Sequence, residues 1–303
     1  PDWSRGLGDV YKRQSIFNLG SINIDYIYTL PRLLAAGETL ASTSFSAALG
    51  GKGANQSIAL ARAGADVRHA GQLHEADTAW LGGLREAGVD CSHILAADIS
   101  SGHAVVAVDE QTAENQIILS PGSNQTLPAE IIAPFLASAQ PGDWALAQNE
   151  VNLTEAFLRA AKQKNLHICY SAAPFVADIT ASLLPIVDLL IVNHLEAEAL
   201  TSFTGKPIDR HGIRHVIITQ GAKGASYRGS AAAAFDLPAV PVKAVDTTGA
   251  GDTYLGYVLA FLDEGQTIEQ AMQIAATASA LQVTRQGASA AIPTRAEVEA
   301  FQK

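Results

Sequence analysis

Short apolar runs alternate with alanine-rich helical stretches along most of this chain, and this alternation constrains the fold more than any other feature. Each run is bounded by polar residues or glycine, as is typical of buried strands. The predicted strands are residues 16–19, 67–71, 144–147, 167–170, 189–192 and 216–219. The predicted helices are residues 55–63, 78–87, 153–164 and 268–283. This order predicts an α/β fold whose largely parallel sheet is covered by helices on both faces.

Two segments do not follow the alternation. Residues 25–47 lack helical spacing, and residues 101–119 alternate as paired strands with a turn near residues 109–114. We predict that they form a small β-sheet that covers a site at the ends of the main strands. The sequence therefore predicts one α/β domain over residues 15–303 with these lid strands inserted. Residues 1–14 are interpreted as a leader or an expression remnant and do not match a secretory signal.

The composition excludes several classes of function. The chain has 303 residues, of which 48% are hydrophobic, and a formal net charge of −10. An acidic chain without a Lys/Arg cluster is a poor partner for nucleic acid or an anionic membrane, although backbone N–H groups can still bind phosphate. No apolar run is long enough to span a bilayer. The two cysteines do not form a disulfide framework, so we expect a cytoplasmic protein.

The strongest chemical signal is a glycine-containing segment late in the chain. It reads Val245-Asp246-Thr247-Thr248-Gly249-Ala250-Gly251-Asp252-Thr253, after a β-like stretch at residues 239–245 and before a helix. Small residues allow a ligand to approach closely, and the first turn of a helix has N–H groups that stabilise a transferring phosphoryl group. Asp252 could accept the proton of an attacking hydroxyl. The alternative is an ordinary glycine turn with Asp252 as a helix cap.

A second glycine-rich segment precedes a helix early in the chain. It reads Gly50-Gly51-Lys52-Gly53-Ala54-Asn55-Gln56. It is not a Walker A loop, because Lys52 is followed by Gly53 and not by Ser or Thr. Lys52 and Asn55 offer hydrogen-bond donors to sugar hydroxyls. Asn23 and Asp25 follow the first strand, where ligands bind in open α/β sheets, although a simple turn would also explain them.

Together, the two glycine-rich segments resemble the diagnostic motifs of the ribokinase-like, or PfkB, carbohydrate kinases. The resemblance runs from about Ser15 to the C-terminus. It implies a three-layer αβα sandwich with a mainly parallel central sheet and a small β-sheet lid. It also implies ATP-dependent phosphorylation of a hydroxymethyl group of a small sugar, with Asp252 as general base. The N–H groups of Gly249, Ala250 and Gly251 would form the anion hole.

The resemblance also assigns the binding sites. The substrate-binding positions would be Asn23, Asp25, Gly51, Lys52, Asn55 and Glu150. The ATP-binding positions would be Asn193, Thr219, Gly221 and Gly224. Glu196 would organise Mg²⁺ indirectly, and capping of a helix by Asn193 and Glu196 is a compatible role. A loop that binds a monovalent cation, K⁺, would contain Asp246, Thr248, Gln282, Arg285 and Gly287, although Ala291 replaces the family's usual serine and an ordinary loop is the alternative.

Departures from the family pattern leave the acceptor open. Residues 72–77 replace the usual Gly-Asp-Asp, residues 34–36 replace a Pro-x-Pro, and a helix normally found between residues 205 and 213 is nearly absent. The glycine-rich stretch is more similar to ribokinases than to fructokinases, so ribose is the first expectation. A nucleoside, fructose or a sugar acid remains an alternative acceptor, and a non-catalytic sugar-sensing protein is a further alternative. The paired lids imply a homodimer.

Overall fold

The computed structural model describes residues 14–112 and 114–302. The interpreted leader, residues 1–14, therefore lies outside the described residues except for Gln14. None of the helices described is both long and apolar enough to cross a lipid bilayer.

The apolar runs form strands, and the stretches between them form helices. The strands are β1 Ser15–Leu19, β2 Asn23–Leu30, β3 Ser44–Gly50, β4 Asp66–His74, β5 Asp90–Ala97, β6 Gly102–Asp109, β7 Asn115–Ser120, β8 Trp144–Gln148, β9 His167–Ser171, β10 Leu189–Asn193, β11 His215–Thr219, β12 Ala225–Tyr227 and β13 Phe235–Leu237. The helices are α1 Lys52–Ala63, α2 Gly82–Glu86, α3 Ile132–Phe135, α4 Thr154–Gln163, α5 Ala177–Leu183, α6 His194–Thr204, α7 Ala250–Asp263, α8 Ile268–Val283 and α9 Arg295–Phe301.

The described residues contain a nine-stranded central sheet in the order β13-β12-β11-β10-β9-β8-β1-β4-β5. The strands from β11 to β5 in this order pair in parallel, and β12 and β13 add an antiparallel edge. All six predicted strands of the alternation lie in this sheet, so the predicted fold class is confirmed.

Successive side chains of the central strands point into two separate cores. In β1, Ile16 packs into the core that also contains α1, α7 and α8, whereas Phe17 packs into the core that contains α4 and α6. A strand buried on both faces is mostly apolar, which explains Ile16, Phe17 and Leu19, and Asn18 is the buried polar exception within this strand. The result is a three-layer αβα sandwich.

The two segments outside the alternation form a second, four-stranded sheet in the order β3-β2-β6-β7, called the small sheet below. Strand β2 pairs antiparallel with β3 and parallel with β6, and β6 pairs antiparallel with β7. The β2–β3 pair of the small sheet leaves the end of β1 through the short connection Gly20–Ile22 and returns to α1 at Gly51, whereas β6 and β7 follow β5. The β2–β3 pair therefore begins next to the carboxyl end of β1.

Two predicted elements are wrong. Residues 239–245 were predicted to be β-like, and the structure has no strand there. Pro241 removes an N–H donor that a strand would need. The predicted helix at residues 78–87 is divided into a 3₁₀ segment, Glu75–Leu81, and the short helix α2. Gly82 and Gly83 lie at the division, and glycine is a weak helix former.

Candidate functional site

The candidate site lies where the direction of strand addition reverses. The chain places β4 and β5 on one side of β1 and β8 to β13 on the other side. Such a reversal opens a crevice at the carboxyl ends of the two strands that flank it. The segments that follow β1 and β8 therefore meet there, and they contain Asn23, Asp25 and Glu150.

Asp252 lies in the first turn of α7 and is held by two amides from α1. Its Oδ1 accepts a hydrogen bond from Gln56 Nε2 at 2.8 Å, and its Oδ2 accepts one from Asn55 Nδ2 at 3.1 Å. The side chain is 8% exposed. Gly249, the N-cap residue of α7, has a φ of 75°, which favours glycine. Asp252 is thus oriented across the site by another helix.

The ammonium of Lys52 interacts electrostatically with Asp252 and with two further carboxylates. The negative charge of Asp252 raises the pKa of the Lys52 ammonium against the opposing effect of burial, with Glu150 and Glu196 acting in the same direction as Asp252. Burial raises the pKa of Asp252 itself, although Lys52 and the two amides favour its ionised form. A buried carboxylate with a raised pKa is a better proton acceptor than an exposed one.

Glu150 ties the end of β8 to the glycine-rich segment. Its Oε2 accepts hydrogen bonds from the Ser21 hydroxyl and, at 3.0 Å, from the backbone N–H of Lys52. The close packing of this region requires glycine, because a Cβ on Gly53 would lie 2.4 Å from the backbone nitrogen of Ser21. The start of α1 therefore packs directly on the connection after β1.

Asn23 and Asp25 enter the crevice from the first residues of β2. Asn23 is 6% exposed, and its Oδ1 accepts a 2.7 Å hydrogen bond from Asn124 Nδ2. Burial and the negative charge of Glu150 raise the pKa of Asp25 to about 6. A Cβ on Gly50 would lie 2.1 Å from Asp25 Oδ2, so glycine at this position makes room for the carboxylate.

A largely apolar cavity of about 490 Å³ lies on the other side of the α7 N-terminus. Its lining includes Thr219 at the end of β11, Gly221 and Gly224 from the turn after it, Leu237 at the end of β13, the irregular segment 238–242, and residues of α8. Ala250 and Gly251 also line it, and a Cβ built on Gly251 meets no atom within 4 Å in the part of the chain that the structure describes. The cavity thus brings the predicted ATP turn next to the predicted anion hole, whereas Asn193 is not among the described residues that line it.

Asn193 and Glu196 form a capping box at the start of α6. Asn193 Oδ1 accepts from the Glu196 N–H at 2.9 Å, and Glu196 Oε2 accepts from the Asn193 N–H at 2.7 Å. Burial raises the pKa of Glu196. The structural role considered for these residues is therefore present, and one carboxylate oxygen of Glu196 takes no part in the capping box.

The predicted cation loop surrounds Asp246. Its two carboxylate oxygens accept hydrogen bonds, each 2.9 Å long, from the N–H groups of Thr248 and Gly287. These bonds outweigh the effect of burial and lower the pKa of Asp246. Gln282 Nε2 donates to the Thr248 carbonyl at 2.9 Å, while Gln282 Oε1 is buried with no hydrogen-bond partner in the part of the chain described. The Arg285 guanidinium forms an ion pair with Glu297 at 2.8 Å.

The sequence did not indicate several residues that organise the site. Gln56 lies inside the early glycine-rich segment and Ser21 lies just after β1, and neither was assigned a role, although Gln56 donates to Asp252 and Ser21 donates to Glu150. Asn124 lies in a 3₁₀ turn after β7, and its only signal was a cluster of turn-forming residues. The apolar cavity was also missed, because residues 239–245, of which several line it, were predicted to be β-like.

Comparison with known proteins agrees with this geometry. The model of the family described as "pfkB family carbohydrate kinase" matches residues 13–295. The ribokinase of Haemophilus influenzae is 32% identical over 306 residues, which cover 95% of this chain and 98% of that protein.

Two solved structures also match over nearly their whole length. The ribokinase of Thermotoga maritima superposes with a TM-score of 0.85 at 30% identity, covering 95% of this chain and 99% of the other. The Arabidopsis thaliana ribokinase, solved with ribose and ATP, superposes with a TM-score of 0.82 at 25% identity, covering 96% and 99%. The chain therefore belongs to the pfkB family of carbohydrate kinases, which are phosphotransferases with an alcohol group as acceptor.

Proposed function

We propose that this protein transfers the γ-phosphoryl group of ATP to the hydroxymethyl group of ribose, with Asp252 as the general base. The relatives from Haemophilus and Thermotoga are named ribokinases, and the Arabidopsis relative was solved with ribose and ATP. The similarity to each covers nearly the whole chain, so it includes both sides of the candidate site.

One observation supports the proposal more than any other. Ala250 and Gly251 line the apolar cavity, while the next residue, Asp252, is bonded to Asn55 and Gln56 on the crevice side. The first turn of α7 thus separates a cavity suited to a nucleotide base from a polar crevice suited to a sugar. First-turn N–H groups lack intrahelical acceptors and can stabilise the phosphoryl group as it passes from one side to the other.

The crevice offers a sugar both hydrogen-bond donors and acceptors. Asn55 Oδ1 is buried and has no donor among the described residues, so a sugar hydroxyl would satisfy it. Asn23, Asp25 and Lys52 provide further polar groups around it. With the acceptor hydroxyl beside Asp252, the carboxylate takes its proton while the hydroxyl oxygen attacks the γ-phosphorus. The bond from the γ-phosphorus to the bridging β-phosphate oxygen breaks, ADP leaves with that oxygen, and the ammonium of Lys52 stabilises the negative charge.

Mg²⁺ would be held mainly by the nucleotide. No three His, Cys, Asp or Glu side chains converge to hold a metal ion in the described part of the chain. Mg²⁺ keeps water ligands and binds substrate phosphates in such sites, where it neutralises their charge. Glu196, with one carboxylate oxygen outside the capping box, fits a role in holding those waters.

K⁺ would bind the loop around Asp246. The ionised carboxylate and Gln282 Oε1, which is buried and has no partner among the residues described, are both oxygen ligands of the kind that a monovalent cation prefers. We expect turnover to be several-fold higher in K⁺ than in Na⁺ at equal ionic strength. Equal initial rates of ADP release in the two salts would contradict this assignment.

The small sheet would cover the sugar crevice as a lid and join two subunits. On the side of β2 away from Asp25, the register places Tyr28 beside Phe45 of β3. Phe45 is 56% exposed, and Ile118 of β7 on the same face is 70% exposed. A second copy would present the same apolar face, which allows a symmetric homodimer.

The free cysteines Cys91 and Cys169 are consistent with a cytoplasmic location.

A screen of ADP release tests the proposed function. The purified protein is assayed with ATP, Mg²⁺ and a panel of pentoses, hexoses, sugar acids and nucleosides. We expect ribose to give the highest kcat/KM, and a nucleoside or sugar acid that exceeded it would overturn the assignment of ribose.

Asp252→Asn, which keeps the shape of the side chain, should lower kcat by at least about 1,000-fold while ribose still binds. Turnover of this variant near the wild-type rate would exclude Asp252 as the base.

A further inference from the structure

A chain of buried polar side chains leads from Asp252 into the core between the two helical layers. It consists of Gln56, Gln148, Asn18, Ser57 and His69, and none of these is more than 1% exposed. They come from α1, β8, β1 and β4, so the chain of contacts crosses three adjacent strands. Polar groups are costly to bury, and such a network is retained only when its hydrogen bonds are well satisfied.

The direction of each hydrogen bond can be assigned by starting at the end of this network that is farthest from Asp252. Asn18 Nδ2 donates to the backbone carbonyl of Gly53 at 2.9 Å and to Ser57 Oγ at 2.8 Å. The Ser57 hydroxyl is then left to donate to His69 Nδ1 at 2.8 Å. His69 Nε2 lies 3.2 Å from the Gly20 carbonyl, and burial lowers the pKa of His69 to about 4, so the ring is neutral with its proton on Nε2.

The carbonyl of Gly53 fixes the orientation of three amides in succession. A carbonyl only accepts hydrogen bonds, so the amide nitrogen of Asn18 must face Gly53, and its oxygen must face Gln148. Gln148 Nε2 donates to Asn18 Oδ1 at 3.0 Å and to Gln56 Oε1 at 2.7 Å. The amide of Gln56 consequently turns its nitrogen toward Asp252.

Gln148 shows that this orientation is imposed by its neighbours. Its own oxygen is buried without a hydrogen-bond partner among the described residues. Rotating the amide by half a turn would place that oxygen against two acceptors, Asn18 Oδ1 and Gln56 Oε1. Both N–H groups of Gln148 are therefore used along the chain of contacts, at the cost of one unpaired acceptor.

We propose that Gln148 and Asn18 are positioning residues that hold the amide of Gln56 in the one orientation that donates a hydrogen bond to the carboxylate of Asp252. This inference rests on the proposed role of Asp252 as the base. We call Asn18, Gln148 and Gln56 the amide relay. The relay stabilises the ionised carboxylate and directs its second oxygen, which is bound to Asn55, toward the crevice.

The expected signature is a change in the acidic limb of the pH–rate profile. The groups that face Asp252 are Lys52, Asn55 and Gln56 from α1 and Glu150 after β8, and Glu196 acts on Lys52. Only the contribution of Gln56 depends on the relay. A Gln56 amide that can turn its oxygen toward Asp252 disfavours the ionised form, so the limb moves to higher pH.

Gln148→Met tests the inference, because methionine has a similar shape and neither N–H donor. The pH dependence of kcat is measured with ATP and the acceptor that gives the fastest ADP release. We expect its acidic limb to move to higher pH by about one unit. KM for the acceptor should change less than about twofold, because Gln148 acts on Asp252 only through another residue. The variant Asn18→Leu should shift the limb in the same direction by less, since Gln148 can still donate to Gln56, and it serves if Gln148→Met does not fold.

Three further variants separate this role from a structural one. Thr180→Val removes a fully buried hydroxyl from α5, outside the relay, and should lower the melting temperature without moving the limb. Gln56→Leu should shift the limb, and adding Gln148→Met to it should produce no further shift, whereas additive shifts would overturn the relay. If Gln148→Met and Asn18→Leu both fold and leave the acidic limb unchanged while Asp252→Asn is inactive, the inference is refuted and the assignment of Asp252 as the base stands. An active Asp252→Asn would instead refute the base assignment itself.

Discussion

Asp25 illustrates at the residue scale how a binding site can oppose stability. Its carboxylate is partly buried beside Glu150, and both effects raise its pKa to about 6. The folded protein therefore binds this proton more tightly than the unfolded chain, whose pKa is near 3.8. The stabilising contribution of the protonated form is complete below about pH 3.8 and is lost as the pH rises through 6. At neutral pH the ionised Asp25 is kept at a cost in free energy.

Asp25→Asn should consequently stabilise the protein and weaken sugar binding. At pH 8 we expect the free energy of unfolding to increase by about 2 kcal/mol, with a smaller gain as the pH falls toward 4. KM for the sugar should rise at least about tenfold, because a carboxylate acceptor is lost. Thermal unfolding at several pH values checks the first expectation and initial rates check the second. A stability gain that did not depend on pH would contradict the assigned pKa.

The motifs predicted the individual groups of the site better than the contacts between them. Lys52, Asn55 and Asp252 could be chosen as candidates because each lies beside glycines at the start of a helix. That Asp252 binds Gln56, and that Glu150 binds Ser21, depends on packing between elements far apart in the sequence. Gln148 and Asn18 lie in apolar strands, where a lone amide gives no sign of its partner.

At the scale of elements, two glycines of helix α7 have different surroundings. Gly251 lines the apolar cavity, and a Cβ there meets no atom of the described residues within 4 Å. Gly256 faces α1, where a Cβ would lie 2.5 Å from Ala59 Cβ and 2.9 Å from the backbone nitrogen of Leu60. Gly256 therefore allows two helices to pack closely, whereas Gly251, under the proposed function, would leave space for ATP.

The pair Gly251→Val and Gly256→Ala should separate these two roles. Gly251→Val should lower kcat/KM for ATP by about 100-fold with little change in melting temperature, because only the ligand meets the new side chain. Gly256→Ala should destabilise the protein by about 1–3 kcal/mol through overpacking, while the folded fraction keeps its activity. Calorimetry and initial rates on both variants provide the measurement. Normal ATP kinetics for Gly251→Val would place the phosphate path elsewhere.

The elements that were predicted correctly are short, bounded apolar runs and long stretches of helix-forming residues. The apolar strands and the long helix α8 could be located because their patterns match one regular structure. Strand β5 was missed because His93 and polar neighbours interrupt its apolar pattern, and its partial exposure at the sheet edge permits this. Residues 239–242, part of the stretch wrongly predicted to be β-like, are apolar and line the cavity, and apolar content alone does not distinguish such a lining from a strand.

At the scale of the whole molecule, the exposed face of the small sheet determines the proposed assembly. Phe45→Lys should convert the dimer into monomers, because a charge in a symmetric interface is placed opposite its own copy. Phe203→Lys is a matched control, since Phe203 is also 56% exposed but lies on α6, remote from the small sheet. Sedimentation velocity measures both variants. A wild-type protein that is monomeric at micromolar concentration, or a dimer that survives Phe45→Lys, would contradict the proposal.

The position of the α7 N-terminus has a consequence for how such a protein can diversify. Apart from Asp252, the crevice residues described above all come from the first half of the chain, up to Glu150, whereas the residues lining the cavity begin at Thr219. Under the proposed function, acceptor preference and nucleotide preference are therefore determined by separate stretches of sequence that meet at a single helical turn. Mutations in one stretch can then change acceptor preference without changing nucleotide preference. Exchange of the N-terminal half between relatives is a direct route to new acceptors.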